Sequence, residues 1–228
     1  MRLCLISDTH GKYRDLVLPE ADILIHAGDW TAGGSKQETH EFFDWMDMLP
    51  FKRKILTGGN HDGCMAVHNA WLCLQRYFPK VDYLCDNGVE VDGLKFWGSP
   101  WTPAFMNWYF MYHTPAEARS HWDLIPSDTD VLITHGPPFG ALDTVQAGGK
   151  HLGCMELDIA MKRLIPRYPQ DDVTRKLHVF GHIHGGHGTR DSEVGIQYVN
   201  ASVMDEAYRV VNKPVVVDWD GERFTVVK

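Results

Sequence analysis

Five short hydrophobic runs in this chain each end in a polar cluster drawn from Asp, His and Asn. Residues 3–6 lead into Asp8-Thr9-His10, 23–27 into Gly28-Asp29, 54–57 into Gly59-Asn60-His61-Asp62, 131–134 into His135-Gly136, and 177–180 into Gly181-His182-Ile183-His184. The runs are rich in aliphatic and β-branched residues, which predicts buried strands. Recurrence of polar clusters at strand C-termini makes these residues candidates for a single converged site.

Between the second and third runs, Phe42, Phe43, Trp45, Met46 and Leu49 recur at helical spacing after Gly34-Ser35-Lys36, predicting a covering helix over 36–49. Residues 154–165 repeat that pattern with Leu157, Met161, Leu164 and Ile165, and Pro166 stops it. Segments 89–97, 196–199, 210–219 and 223–227 read as further strands, with turns at Asp92-Gly93 and Asp220-Gly221. That is more strands than one flanked parallel sheet of this length would use. The expectation is an α/β fold of two sheets packed face to face with helices outside. With 228 residues, 44% of them hydrophobic, the chain fits one domain over 1–228.

Asp8 and His10 are two apart, as are His182 and His184, so an extended chain points both members of each pair to one side. Asp29 follows Gly28, whose missing side chain permits a sharp turn, and its two oxygens suit a bridge between two ions. Asn60 adds a neutral oxygen ligand and His135 an imidazole. The seven candidate ligands are therefore Asp8, His10, Asp29, Asn60, His135, His182 and His184. All are nitrogen or oxygen donors, which points to Mn, Fe, Zn or Co and away from a thiolate zinc site. Two ions roughly 3.5–4 Å apart would lower the pKa of a bridging water and brace an in-line displacement at phosphorus. His61, beside Asn60, is the candidate proton donor to a leaving oxygen, with Asp62 expected to hold its imidazole by a hydrogen bond.

Net charge is −8 with His neutral, so no broad basic surface is available for a long nucleic acid, while a metal pair would still hold one phosphate. The five cysteines (Cys4, Cys64, Cys73, Cys85 and Cys154) are odd in number and lack C-x-x-C spacing. They are expected as free thiols in a reducing compartment. No signal-peptide core or bilayer-length run is present, so the expected location is cytoplasmic, with no membrane partner. Residues 100–112 carry Trp101, Phe105, Trp108, Tyr109, Phe110 and Tyr112, suited either to core packing or to a wall that stacks a nucleobase or aryl group. Pro137-Pro138-Phe139-Gly140 is a candidate opposite wall, with Gly148 and Gly149 as a flexible tip. The other histidines receive no role, although His151 sits in a Gly-rich loop able to close over substrate.

In this order, D-x-H, G-D, G-N-H-D, G-H and G-H-x-H resemble the calcineurin-like metallophosphoesterases over the whole chain. Ser99-Pro100-Trp101, Thr134-His135-Gly136-Pro137-Pro138, the segment from His178 to His184, and Val199-Asn200-Ala201-Ser202 resemble the MPPED-type subfamily of small class III phosphodiesterases. The resemblance implies a four-layer α/β/β/α sandwich of two mixed sheets flanked by helices. It implies a first ion held by Asp8, His10, Asp29 and His184, and a second by Asp29, Asn60, His135 and His182, with His61 as the catalytic histidine and manganese the foremost metal. Some animal members carry Gly where His182 stands; here the ligand is present. An extra Gly58 precedes Gly59-Asn60 and is expected to add only backbone freedom. Related phosphoprotein phosphatases read G-D-x-V-D-R-G at the second motif, where this chain has Gly28-Asp29-Trp30-Thr31-Ala32-Gly33-Gly34 and lacks the arginine. The implied activity is hydrolysis of small phosphodiesters, cyclic nucleotides among them, by in-line attack of a metal-bridged hydroxide. The alternatives are a nuclease of the same superfamily and a nucleotide-binding or scaffold protein with little turnover. The oligomeric state is left open.

Overall fold

The computed structural model describes residues 1–66, 74, 76–145, 149–164 and 176–227. The first sheet holds β1 (Arg2–Ile6), β2 (Ile23–His26), β3 (Arg53–Thr57), β4 (Val81–Leu84), β13 (Val215–Trp219) and β14 (Phe224–Val227), in the order β14-β13-β1-β2-β3-β4. β1 to β4 run parallel, β13 pairs antiparallel with β1, and β14 antiparallel with β13. The second sheet holds β5 (Asn87–Val91), β6 (Leu94–Ser99), β9 (Val131–Thr134), β10 (Lys176–Phe180), β11 (Gly188–Asp191) and β12 (Ile196–Asn200), ordered β11-β12-β10-β9-β6-β5. There β6, β9, β10 and β12 are parallel, and the edges β5 and β11 are antiparallel. A short pair, β7 (Thr102–Pro103) and β8 (Met111–Tyr112), closes the aromatic segment.

The period of two along each strand builds the layers. Leu3 and Leu5 face inward with Ile23, Ile25 and Ile55, and meet Val131, Ile133, Leu177 and Val179 of the other sheet. The alternate residues Cys4, Ile6, Leu24 and Leu56 face outward and pack against Phe42, Phe43, Trp45 and Met46 of α1 (Lys36–Met48). A single turn, α2 (Gly63–Ala66), follows the polar cluster after β3. On the opposite side Leu132, Phe180 and Tyr198 pack against α3 (Pro115–Trp122) and α4 (Met155–Met161) through Ala118, Trp122, Leu157 and Met161. The result is the α/β/β/α sandwich expected from sequence. Central strands buried on both faces are why the five runs read as nearly continuous hydrophobic stretches.

α1 begins where expected: the Ser35 side chain accepts from the Glu38 N–H, and Glu38 reaches back to the Ser35 N–H in a reciprocal cap. Asp92-Gly93 makes the expected turn, with φ of 49° and 83°, and splits segment 89–97 into the β5–β6 hairpin. Segment 210–219 is a strand only from Val215 onward, after Pro214, which has no N–H to pair; Val210 makes an isolated bridge to Met204. The second predicted helix spans Met155–Met161, and Ile165 and Pro166 lie outside the described residues, as do Gly148 and Cys73. Cys4, Cys64, Cys85 and Cys154 are free. Among the described residues no helix is long and apolar enough to cross a membrane.

Candidate metal centre

All five polar clusters come together in the structure. Ligand atoms of Asp8, His10 and His184 lie within 4.8 Å of one another, as do those of Asp29, His135 and His182, and a third trio joins His10, Asp29 and His61. Asn60 Oδ1 is 3.0 Å from His135 Nε2, which brings the seventh residue into the group.

The local geometry departs from expectation in an instructive way. Neither two-residue pair sits on extended chain: Asp8 (φ 55°), His10 (φ 40°) and His182 (φ 65°) are left-handed, and so is Asp29 (φ 58°). The strands have ended, and tight turns swing the side chains round. Non-glycine residues in this region store strain, and such strain concentrates at functional sites. Backbone pairing across the loops holds the turns: Asp8 N–H donates to Gly28 O at 3.0 Å and His10 N–H to Asp29 O at 2.9 Å. Gly28 (φ 100°) is required, since a Cβ there would lie 2.6 Å from both Gly58 O and His135 Nδ1. Gly58 is likewise a packing point and not a source of freedom, because a Cβ would press within 3.0 Å of the Phe110 ring.

Asp29 divides its oxygens. Oδ1 accepts the His61 N–H at 2.7 Å, leaving Oδ2 3.2 Å from His135 Nε2 and 3.8 Å from His10 Nε2. Oδ2 is thus the Asp29 oxygen that faces both His135 and His10. His135 Nδ1 donates to Ala27 O at 2.9 Å and His184 Nδ1 to Asp205 O at 2.9 Å, so each directs Nε2 into the site. Carbonyl partners of this kind set the tautomer of ligating histidines. His184 Nε2 lies 3.6 Å from Asp8 Oδ1 and 3.4 Å from His10 Nε2.

Asp62 does not hold the His61 imidazole. Its carboxylate instead accepts the N–H groups of Asp29 (2.8 Å), Gly59 (2.8 Å) and Thr31 (3.0 Å), and the Thr31 hydroxyl (2.9 Å). It is a buckle between the loops after β2 and β3, whose inward N–H groups would otherwise lack acceptors. His61 Nδ1 donates to Ala32 O at 2.8 Å, so Nε2 is left facing the cleft.

The electrostatics fit a cation. Asp8 and Asp29 are 0% and 2% exposed, and among the described residues their ion-pair partners are histidines alone. Burial pushes the Asp8 carboxyl up, but the hydrogen bond and charge of His184 outweigh it and hold Asp8 well below the usual range. Asp29 is driven down in the same way by His135 against its own burial. His135 is raised to about 9: burial opposes its charged form, but the Asp29 carboxylate dominates. Burial lowers His10 and His182 to about 4, keeping both neutral and ready to ligate. Two buried carboxylates among imidazoles carry negative charge that metal binding would neutralise. Donors on opposite sides of an ion stand about 4.2 Å apart at bond lengths of 2.0–2.2 Å, so trios spanning 4.8 Å need only a small contraction.

Three features lie beyond the sequence reading. His26, assigned no role, is fully buried and ties two loops: its Nδ1 accepts the Gly28 N–H at 3.2 Å and its Nε2 meets Thr9 Oγ1 at 3.1 Å. Tyr208 packs edge-on against both His10 and His184, with centroids 4.8 and 5.1 Å away. Trp108 stacks on His61 at 3.9 Å. The aromatic segment is divided: Phe110 and Tyr112 enter the core, while Phe105 (61% exposed) and Trp108 line the cleft. That cleft, about 640 Å³, opens over His10, Asp29, Asn60, His61, His182 and His184. Val145 and Leu152 line its far side; His151, whose Nδ1 pairs with Asp143 at 2.6 Å, is not part of the wall.

Residues 1–186 match the family model described as calcineurin-like phosphoesterase. Over 95% of its length the chain is 37% identical to metallophosphoesterase domain-containing protein 1 of Homo sapiens, covering 70% of that protein. It is 32% identical over 95% of its length to a UPF0046 protein of Caenorhabditis elegans, covering 74% of it. The crystal structure of TT1561 of Thermus thermophilus superposes with a TM-score of 0.64 at 13% identity, covering 99% of this chain and 97% of that one, which is a likeness of fold.

Proposed function

The chain belongs to the calcineurin-like phosphoesterase family of metal-dependent phosphate-ester hydrolases, and on that premise we propose that it hydrolyses small phosphodiesters at a two-metal site. The observation that carries the reading is Asp29 Oδ2, which faces His10 on one side and His135 on the other between two ligand trios. Asp8, His10, Asp29 and His184 would hold one divalent ion, and Asp29, Asn60, His135 and His182 the other, with manganese the foremost candidate. When bound, such a pair supplies a water acidic enough to attack at neutral pH and neutralises charge on the phosphate.

The remaining chemistry belongs to the chain. His61 Nδ1–H is committed to Ala32 O, so Nε2 is the atom that faces the departing alkoxide, and it is the doubly protonated ring that delivers the Nε2 proton there and is left as the neutral Nδ1–H form. Asp62 fixes the loops carrying Asp29 and His61, and so sets the distance between bridge and proton donor. Gly28 and Gly59 keep the backbone close enough for Asp29 and His135 to meet.

Diester preference is supported by the lining of the cleft, where no Lys or Arg occurs among the described residues. A dianionic monoester lacks a cationic side chain to grip its extra charge, whereas a singly charged diester needs none. Cyclic nucleotides, as singly charged diesters, fall within this class. A long nucleic acid is disfavoured by the net charge of −8. The test is hydrolysis of bis-p-nitrophenyl phosphate against p-nitrophenyl phosphate by the manganese-loaded protein. Higher kcat/KM for the diester is expected; preference for the monoester would overturn the diesterase assignment, and no turnover with metal bound would favour a binding protein.

A further inference from the structure

Four rings run in series across the floor of the cleft. Trp108 stacks on His61 (3.9 Å, 29°), His61 meets His10 edge-on (4.5 Å, 83°), and His10 meets Tyr208 (4.8 Å, 66°). The proton donor and a ligand histidine lie in the middle, with an aromatic side chain at each end. Tyr208 is the less expected of the two. It is left-handed at φ 57°, a conformation that costs a non-glycine residue free energy, and 46% of it remains exposed although it touches two ligand histidines.

Its backbone is tied down on both sides. Tyr208 N–H donates to Asp205 O at 2.9 Å, and its carbonyl accepts Lys12 Nζ at 2.7 Å. The Asp205 carbonyl also accepts His184 Nδ1, so ligand and tyrosine share one anchor. A strained, tethered and half-exposed ring facing a cleft is arranged to present a surface.

We propose that the row separates the two ester arms of the substrate, so that Trp108 receives the leaving alcohol and Tyr208 stacks a flat, uncharged group on the retained arm. The assignment rests on the diesterase reading, and its direction follows from His61. The departing oxygen must lie within reach of His61 Nε2, and Trp108 covers that ring. The retained arm then extends toward His10, where Tyr208 stands.

The test uses the full manganese-loaded chain and two diesters with one leaving group, phenyl p-nitrophenyl phosphate and methyl p-nitrophenyl phosphate. Contacts to the leaving group cancel in the ratio of their kcat/KM values. The native protein is expected to favour the phenyl ester. Tyr208→Leu should lower that ratio about tenfold, with metal content by elemental analysis equal to the native protein's. Tyr208→Phe, which keeps the ring, should retain the ratio, and Trp108→Leu should slow both esters together. An unchanged ratio in Tyr208→Leu, its loss of metal, or a ratio that collapses in Trp108→Leu instead would overturn the slot assignment while leaving the diesterase reading intact. Turnover of neither ester by the native protein would overturn both.

Discussion

The Asp62 carboxylate accepts the backbone N–H of Asp29 at 2.8 Å, so the residue predicted to bridge two ions is positioned by a neighbour whose own oxygens are taken up by backbone donors. Burial, followed by the charge of Asp29, pushes Asp62 up to about 8, while the donors of Thr31 and Gly59 pull against that rise. Above about pH 8, where Asp62 is ionised, Asp62→Asn places an amide where every partner is a donor, leaving a buried N–H group facing N–H groups. Metal affinity should fall 10–100-fold, and stability by about 1–3 kcal/mol. Calorimetric metal titration and thermal unfolding check this. An unchanged metal affinity would show that the loops hold Asp29 without the buckle.

Asp29→Asn removes charge from the carboxylate oxygen that, among the described residues, lies in reach of both ligand trios. Metal content and turnover should be lost together. Full metal content with unchanged turnover would rule out Asp29 as the bridge.

His61→Ala should retain both ions and slow hydrolysis most for esters with poor leaving groups, because a good leaving group departs without a proton. A series of aryl esters of rising phenol pKa measures this as a steeper dependence in the variant. Loss of metal instead would move His61 into the coordination set, an outcome its trio with His10 and Asp29 makes worth testing.

His135 couples metal binding to pH. In the metal-free protein its folded pKa is raised to about 9, above the unfolded value of about 6.5. The stabilisation this contributes is present in full below about pH 6.5 and is lost as pH rises through 9. Stability of the metal-free protein should therefore decline across that window. A ligating imidazole must be neutral, so near pH 7.5 metal binding should release about one proton from His135. Calorimetry in two buffers of different ionisation heat counts it; zero protons released would mean that His135 is already neutral.

The layers and the convergence of the seven candidate residues are legible for one physical reason: strands buried on both faces are nearly all apolar, so a sudden Asp, His or Asn marks where each ends. Less was readable where the signal is not in side-chain type. The edge strand Gly188–Asp191 is polar, and Val81–Leu84 carries Asp82 in an ion pair with Arg53. Residues 115–122 carry a weak helical pattern although Thr114-Pro115 and Glu117 form a helix start, because only Ala118 and Trp122 are buried there. Left-handed turns at Asp8, His10 and His182 have no compositional marker, since tertiary hydrogen bonds impose them. The role of Asp62 leaves no mark in the sequence because its partners are backbone N–H groups, which every residue but proline carries. Tyr208 has no sequence signal, since it lies outside the motifs and reaches the site through the Asp205 turn.

The most direct test of the two-metal account is titration of metal-stripped protein with manganese while bound metal and bis-p-nitrophenyl phosphate hydrolysis are both recorded. Two equivalents should bind, with full turnover reached only as the second site fills. Full turnover at one equivalent, or saturation of binding at one, would contradict it.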